Sequence, residues 1–149
     1  LMTVEAFCEK LRMEYESELM DADVLFRIEC RCPQEQIICN WEHMRRFFGN
    51  LIGNSIQHAR AGHLELRLRC CREGEQVVFL FWDNGKGVPP ELLQQIFEPL
   101  YTTDPGRKVS GLGLSICKSI MKAHGGTVGA ESGPEGGLLI RASLPCVHL

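Results

Sequence analysis

Apolar positions recur along this chain with two periods, and the changes of period divide it into elements. Val4, Phe7, Cys8, Leu11, Tyr15 and Leu19 fall on one helical face, with acidic and basic residues between them. Thr3 stands where an N-cap would accept the first free amides. Val24–Cys32 alternates as a strand does, and Cys32-Pro33 closes it. Trp41–Ala59 is the strongest helical stretch, striped by Met44, Phe47, Phe48, Leu51 and Ile52, and Gly62 stops it. From His63 to Arg72 the period drops to two: Leu64, Leu66, Leu68 and Cys70 face one way, and Glu65, Arg67 and Arg69 the other. Glu73-Gly74 turns the chain into Gln76–Trp82, apolar enough for a buried strand, so the pair predicts a hairpin. Residues 98–110 show no period and contain Pro99, Pro105 and Gly106, which predicts a mobile loop. Leu112–Ala123 is helical again up to His124-Gly125-Gly126, and Thr127–Ser132 and Leu138–Leu144 make a last hairpin. That order predicts one α/β domain, a mostly antiparallel sheet with helices on one face.

Composition sets limits on this picture. A chain of 149 residues, 44% hydrophobic and 23% charged, has enough apolar material for one globular core. A net charge of −3 gives no reason to expect nucleic acid or another polyanion as a partner. The longest plainly apolar run, Val77–Trp82, is far short of the ~20 residues a spanning helix needs. The chain opens on Leu1, shows no signal-peptide pattern and enters a helical stretch at once, so a piece of a longer protein is expected. Its eight cysteines include Cys30-x-Cys32 and the adjacent pair Cys70-Cys71, but no paired C-x-x-C units. Neighbours on a strand point to opposite faces, so Cys70 and Cys71 do not suit one ion. Free thiols in a reducing cytosol are the expectation, with a metal site as the alternative.

The chemistry concentrates in a few segments. Asp83-Asn84-Gly85-Lys86-Gly87 is not a calcium loop. Counted from Asp83, the ligand places three, five and twelve hold Gly85, Gly87 and Gln94. Asn-Gly is a strong turn signal, and a plain turn stays open. However, an acid that ends a buried strand needs donors. An aromatic amine is one, and two missing side chains would admit a flat ring. This suits a purine. Upstream, Asn50 and Asn54 lie four apart on a helix and present two amides on one side. They are either a polar helix face or a place where an amide oxygen ligates magnesium while phosphates supply the charge. Downstream, glycines lead into a helix start, where free amides attract phosphate. No Gly-Lys-Ser/Thr follows at P-loop spacing.

Taken together and in order, NLIGNSIQHA, DNGKGVP, IFEPLYTTD and GLGLSICKSIMKAHGG resemble the four boxes of the catalytic, ATP-binding domain of bacterial-type sensor histidine kinases. The likeness covers roughly residues 40–145. It implies the two-layer α/β sandwich shared with gyrase, Hsp90 and the mismatch-repair ATPases: a mixed, mostly antiparallel sheet with helices on one face and a mobile ATP lid. It also implies roles. Asp83 accepts from the adenine amine, and Gly85 and Gly87 floor the pocket. Asn54 holds magnesium, Asn50 lies near the phosphates, and His58 takes a place often held by an aromatic ring beside the base. Phe97 and Tyr101 belong to the box that hinges the lid, with Thr102 and Thr103 following. Ser110, Gly111, Leu112, Gly113 and Leu114 lie where lid backbone meets phosphate. Phe97 as plain core and His58 as a solvated helix residue remain open.

Three departures stand against the resemblance. Gln57 replaces a usual Lys or Arg, and Arg107 and Lys108 of the lid are placed to supply the missing charge. Leu100 replaces a second Phe, and Val109 the first glycine of the lid motif. The related ATPases carry Glu four residues before the magnesium Asn. Here Asn50 stands there, and an amide is no general base for water. The resemblance therefore implies a kinase using ATP and magnesium, whose acceptor His lies on a dimerisation domain outside this chain, and which serves a response regulator. The fragment alone is expected to bind ATP without phosphorylating itself. The full protein is expected to be a homodimer, with a membrane anchor left open and this domain in the cytoplasm. The competing reading is a nucleotide-binding regulatory module without phosphoryl transfer.

Overall fold

In the computed structural model, which describes residues 1–59, 62–98 and 113–148, the two periods of the sequence become two layers. The helices are α1 (Val4–Asp21), α2 (Trp41–Gln57) and α3 (Gly113–Ala123). Strands β2 (Leu25–Cys30), β4 (Glu65–Glu73), β5 (Gln76–Asp83), β6 (Thr127–Ser132) and β7 (Leu138–Pro145) form one five-stranded sheet in the order β2-β4-β5-β7-β6. Two further strands, β1 (Met2–Thr3) and β3 (Gln36–Ile37), pair only with each other. The sheet is mixed: β2 runs parallel to β4, and the other pairs are antiparallel. Connection length accounts for three of the four pairs. The chain crosses over through α2 between β2 and β4, whereas β4–β5 and β6–β7 are hairpins.

Strand parity then sorts side chains between the faces. Leu66, Leu68 and Cys70 of β4, Val77, Phe79 and Phe81 of β5, and Leu138, Ile140, Ala142 and Leu144 of β7 join the apolar stripes of all three helices in one core. Phe7 of α1 and Phe48 of α2 both pack on Phe79, with ring centroids 5.4 and 6.0 Å away. Trp82 faces the other way, with the Arg67 guanidinium 4.5 Å above its ring and its Nε1 donating to the Gly136 carbonyl at 2.8 Å. The residue after Trp82 on the strand is Asp83, which parity returns to the helix side.

Caps tie the helices down. The Thr3 hydroxyl accepts from the Ala6 amide, as expected, and Asn40 caps α2 by accepting from the His43 amide. His124, just past α3, accepts the Asn40 amide at Nε2 and meets the Ile120 carbonyl through Nδ1, linking the start of α2 to the end of α3. The expected helices and both hairpins are present with shifted ends: β2 spans six residues and α2 stops at Gln57, while β5 and β7 each run one residue further than expected. The β1–β3 ladder and the short 3-10 turns Pro90–Leu92 and Gln95–Phe97 carry too few residues to show a period. The loop and lid expected over residues 98–110 fall, apart from Glu98, outside the described residues. All eight thiols are free. Cys70 points into the core and Cys71 does not, while Cys8 and Cys70 touch at 3.7 Å between sulfurs. Their hydrogen bond holds the Cys8 thiol below its usual range and Cys70 well above it. No described helix is long and apolar enough to cross a membrane.

Candidate functional site

The site begins where an apolar strand ends in an acid. Asp83 is only 5% exposed, and Ser55 of α2 only 2%. They are the buried polar side chains among the described residues. The Ser55 hydroxyl donates to Asp83 Oδ2 at 2.7 Å, and the Gly85 amide donates to Oδ1 at 2.9 Å. Each carboxylate oxygen therefore has one protein donor and keeps acceptor capacity for a ligand.

Close backbone packing shapes the loop that follows. A Cβ on Gly85 would lie 2.9 Å from the His58 carbonyl oxygen, and that same oxygen accepts from the Lys86 amide at 3.3 Å. Gly87 has φ +73°, and a Cβ on it would come within 3.1 Å of the Gly137 oxygen. Asn84, which reads in sequence as a turn residue, is a clamp. Its Oδ1 accepts from the Glu65 amide at 2.9 Å and its Nδ2 donates to the His63 carbonyl at 3.0 Å. It thereby fixes the start of β4 beneath the loop.

A second group of residues lines a cavity of about 220 Å³ beside α2: Gly49, Asn50, Gly53, Asn54, Gln57 and, from α3, Gly113 and Leu114. Asn50 and Asn54 share a helix face, as their spacing requires. Asn50 Nδ2 is buried and has no hydrogen-bond partner among the described residues, which is costly unless a ligand or solvent meets it. α3 starts beside this amide, close enough that a Cβ on Gly113 would make ordinary contact with Asn50 Cβ at 4.0 Å. Beneath it, burial pushes the Cys117 thiol up to about 12. Among the described residues no carboxylate lines the cavity. A cation held here would depend on neutral oxygens and on charge brought by its ligand.

The structure thus brings Asn50, Asn54, Gln57, Gly113 and Leu114 around one cavity, and His58, Asp83, Gly85 and Gly87 around the adjoining loop. α2 carries Asn50, Asn54 and Gln57 of the first group and ends one residue before His58 of the second. Phe97 is buried in the main core. Tyr101, Thr102, Thr103, Arg107, Lys108, Ser110, Gly111 and Leu112 lie outside the described residues, as do Leu100 and Val109. Sequence reasoning missed Ser55, Asn84 and Gly137. Ser55 had a signal, being the one polar residue that continues the apolar stripe of α2. The other two had none beyond turn chemistry.

Residues 39–148 match the family described as Histidine kinase-, DNA gyrase B-, and HSP90-like ATPase. The chain belongs to this family. Its sheet with helices on one face is the family's α/β fold: the catalytic domain of the histidine kinase ThkA superposes with a TM-score of 0.81 at 23% identity, over 97% of this chain and 93% of that one. Among relatives of this ATPase family, the sensor protein KdpD of Escherichia coli (strain K12) is 40% identical over 98 residues, covering 64% of this chain and 11% of that protein. The sensor histidine kinase GtrS of Pseudomonas aeruginosa is 37% identical over 107 residues, covering 71% of this chain and 22% of that protein. The chain therefore spans a quarter or less of the length of these two relatives.

Proposed function

We propose that this chain is the ATP-binding catalytic domain of a two-component sensor histidine kinase, transferring the γ-phosphoryl group of ATP to a histidine on a separate dimerisation domain. The observation that carries this is the pairing, along α2, of a buried carboxylate acceptor at Asp83 with an amide pair at Asn50 and Asn54. Asp83 takes the adenine amine, Gly85 and Gly87 admit the ring, and the cavity beside Asn50 and Asn54 takes the phosphates. Magnesium fits this donor set. It prefers oxygen ligands, keeps several waters and relies on phosphate for charge, so the Asn54 amide oxygen would be its protein ligand. Bound there, it would supply positive charge to offset that of the phosphates. Asn50 Nδ2, which has no hydrogen-bond partner among the described residues, would donate to a phosphate.

An amide at position 50 favours phosphoryl transfer over hydrolysis, because it cannot remove a proton from water. The nucleophile must then come from outside this chain. Relatives several times longer leave room for a helical dimerisation region bearing that histidine, for a sensor and for a membrane anchor. A response regulator as partner is supported by a further structure of ThkA, solved in complex with the response regulator protein TrrA. Gln57, where the family usually has a basic residue, favours the second reading, a nucleotide-binding module that regulates without transfer.

The test joins the chain to its native upstream sequence and incubates it with labelled ATP and magnesium. Acid-labile, base-stable label that disappears in Asn54→Ala supports the kinase. Tight magnesium-dependent ATP binding with no such label supports the regulatory module. Steady phosphate release from the fragment alone, lost in Asn54→Ala, would overturn both in favour of an ATPase.

A further inference from the structure

We propose that Ser55 is a positioning residue for base recognition, holding the Asp83 carboxylate in the orientation that selects the 6-amino group. The inference rests on the reading of Asp83 as the adenine acceptor. Ser55 continues the buried stripe of α2, in which Met44, Phe47, Phe48, Leu51 and Ile52 are all apolar. A hydroxyl buried there is costly unless bonded. A helical serine usually satisfies itself by donating to its own i−4 carbonyl. Ser119 of α3 does so, with its hydroxyl 3.3 Å from the Ser115 oxygen. Ser55 instead reaches across to the sheet and donates to Asp83 Oδ2 at 2.7 Å.

The consequence is geometric. The Gly85 amide alone would pin one oxygen, Oδ1, and leave the carboxylate free to pivot about that bond. A second donor on Oδ2 stops the pivot. Both protein donors then occupy one acceptor site on each oxygen, and the acceptor sites left over keep a fixed direction. Such a preset acceptor strengthens the bond to a donor on the base, and contributes nothing to a base that lacks one. Ser55 therefore acts through Asp83, without itself touching the nucleotide.

The test is calorimetry on this chain with ADP and with purine riboside 5′-diphosphate, which differs only in lacking the amine. The wild type should prefer ADP. Ser55→Ala should weaken ADP binding roughly fivefold to twentyfold while moving the purine riboside analogue much less, so that the preference shrinks. Ser55→Cys, which nearly keeps the volume but offers a poor donor, should behave like Ser55→Ala. Equal losses for both nucleotides, or a Ser55→Cys variant that binds like wild type, would make Ser55 a packing residue and end the proposal. Asp83→Asn separates this from the underlying reading. If it abolishes the preference while the Ser55 variants keep it, only the role of Ser55 is wrong. If Asp83→Asn leaves the preference intact, the adenine assignment falls and the Ser55 role falls with it.

Discussion

Gly137 stands so close to Asp83 that a Cβ on it would lie 1.9 Å from the Asp83 backbone oxygen, at a φ of +74°. The contact follows from register, since β5 and β7 pair Asp83 with Leu138 and bring the preceding glycine over the start of the Asp83–Gly87 loop. Gly137→Ala should therefore cost about 1–3 kcal/mol from backbone strain alone, with the clash added. It should also weaken nucleotide binding by shifting the acceptor. Chemical denaturation together with ADP titration checks this. An unchanged unfolding midpoint would show that the 133–137 turn can retreat without cost.

Gln57 lies at the mouth of the Asn50–Asn54 cavity and is exposed. Gln57→Lys should tighten binding of triphosphate by less than about 1 kcal/mol, because an exposed charge is well solvated. The gain should shrink as salt rises towards about 0.5 M, where the screening length has fallen to roughly 4 Å. Affinities measured at low and high salt decide it. A gain independent of salt would point to a change of packing in place of a charge.

Tyr15 carries a pH dependence of known sign. Burial, aided by the nearby Glu14 charge, pushes its phenol up to about 12, while its hydroxyl donates to the Arg45 carbonyl at 2.7 Å. A phenol whose pKa is higher folded than unfolded contributes fully below pH 10. That contribution is lost as pH rises from about 10 towards 12. Stability should fall over that window by up to about 2–3 kcal/mol, and Tyr15→Phe should flatten the fall. Urea midpoints recorded from pH 8 to pH 11 test this. An equally steep fall in Tyr15→Phe would assign it to another group.

The cysteines should be free and independent of metal. Denatured protein should titrate all eight thiols. In native protein Cys70 and Cys117, both fully buried, should react most slowly, because burial disfavours the reactive thiolate. Neither dialysis nor a chelator should lower the melting temperature. Stoichiometric zinc that survives dialysis would contradict this.

What the sequence determined by itself is what depends on neighbours a few residues away. The stripe of Phe47, Phe48, Leu51 and Ile52 specified α2 and its buried face. Alternation specified β4 and a continuous apolar run specified β5, after which strand parity set Asp83 on the same face as Phe79 and Phe81. The four-residue spacing of Asn50 and Asn54 set both amides on one side. These properties follow from helix and strand geometry alone. Tertiary structure decided the rest. A strand's period is the same in parallel and antiparallel pairs, so only the crossover through α2 made β2 parallel to β4. A serine inside a helix can bond its own turn or a distant group. Ser55 bonds Asp83 because parity turns that acid toward α2 at the point where the stripe ends. Asn84 became a clamp on β4, and Gly137 a neighbour of Asp83, only through strand register. Register is fixed by pairings between residues tens of positions apart, which no local pattern encodes.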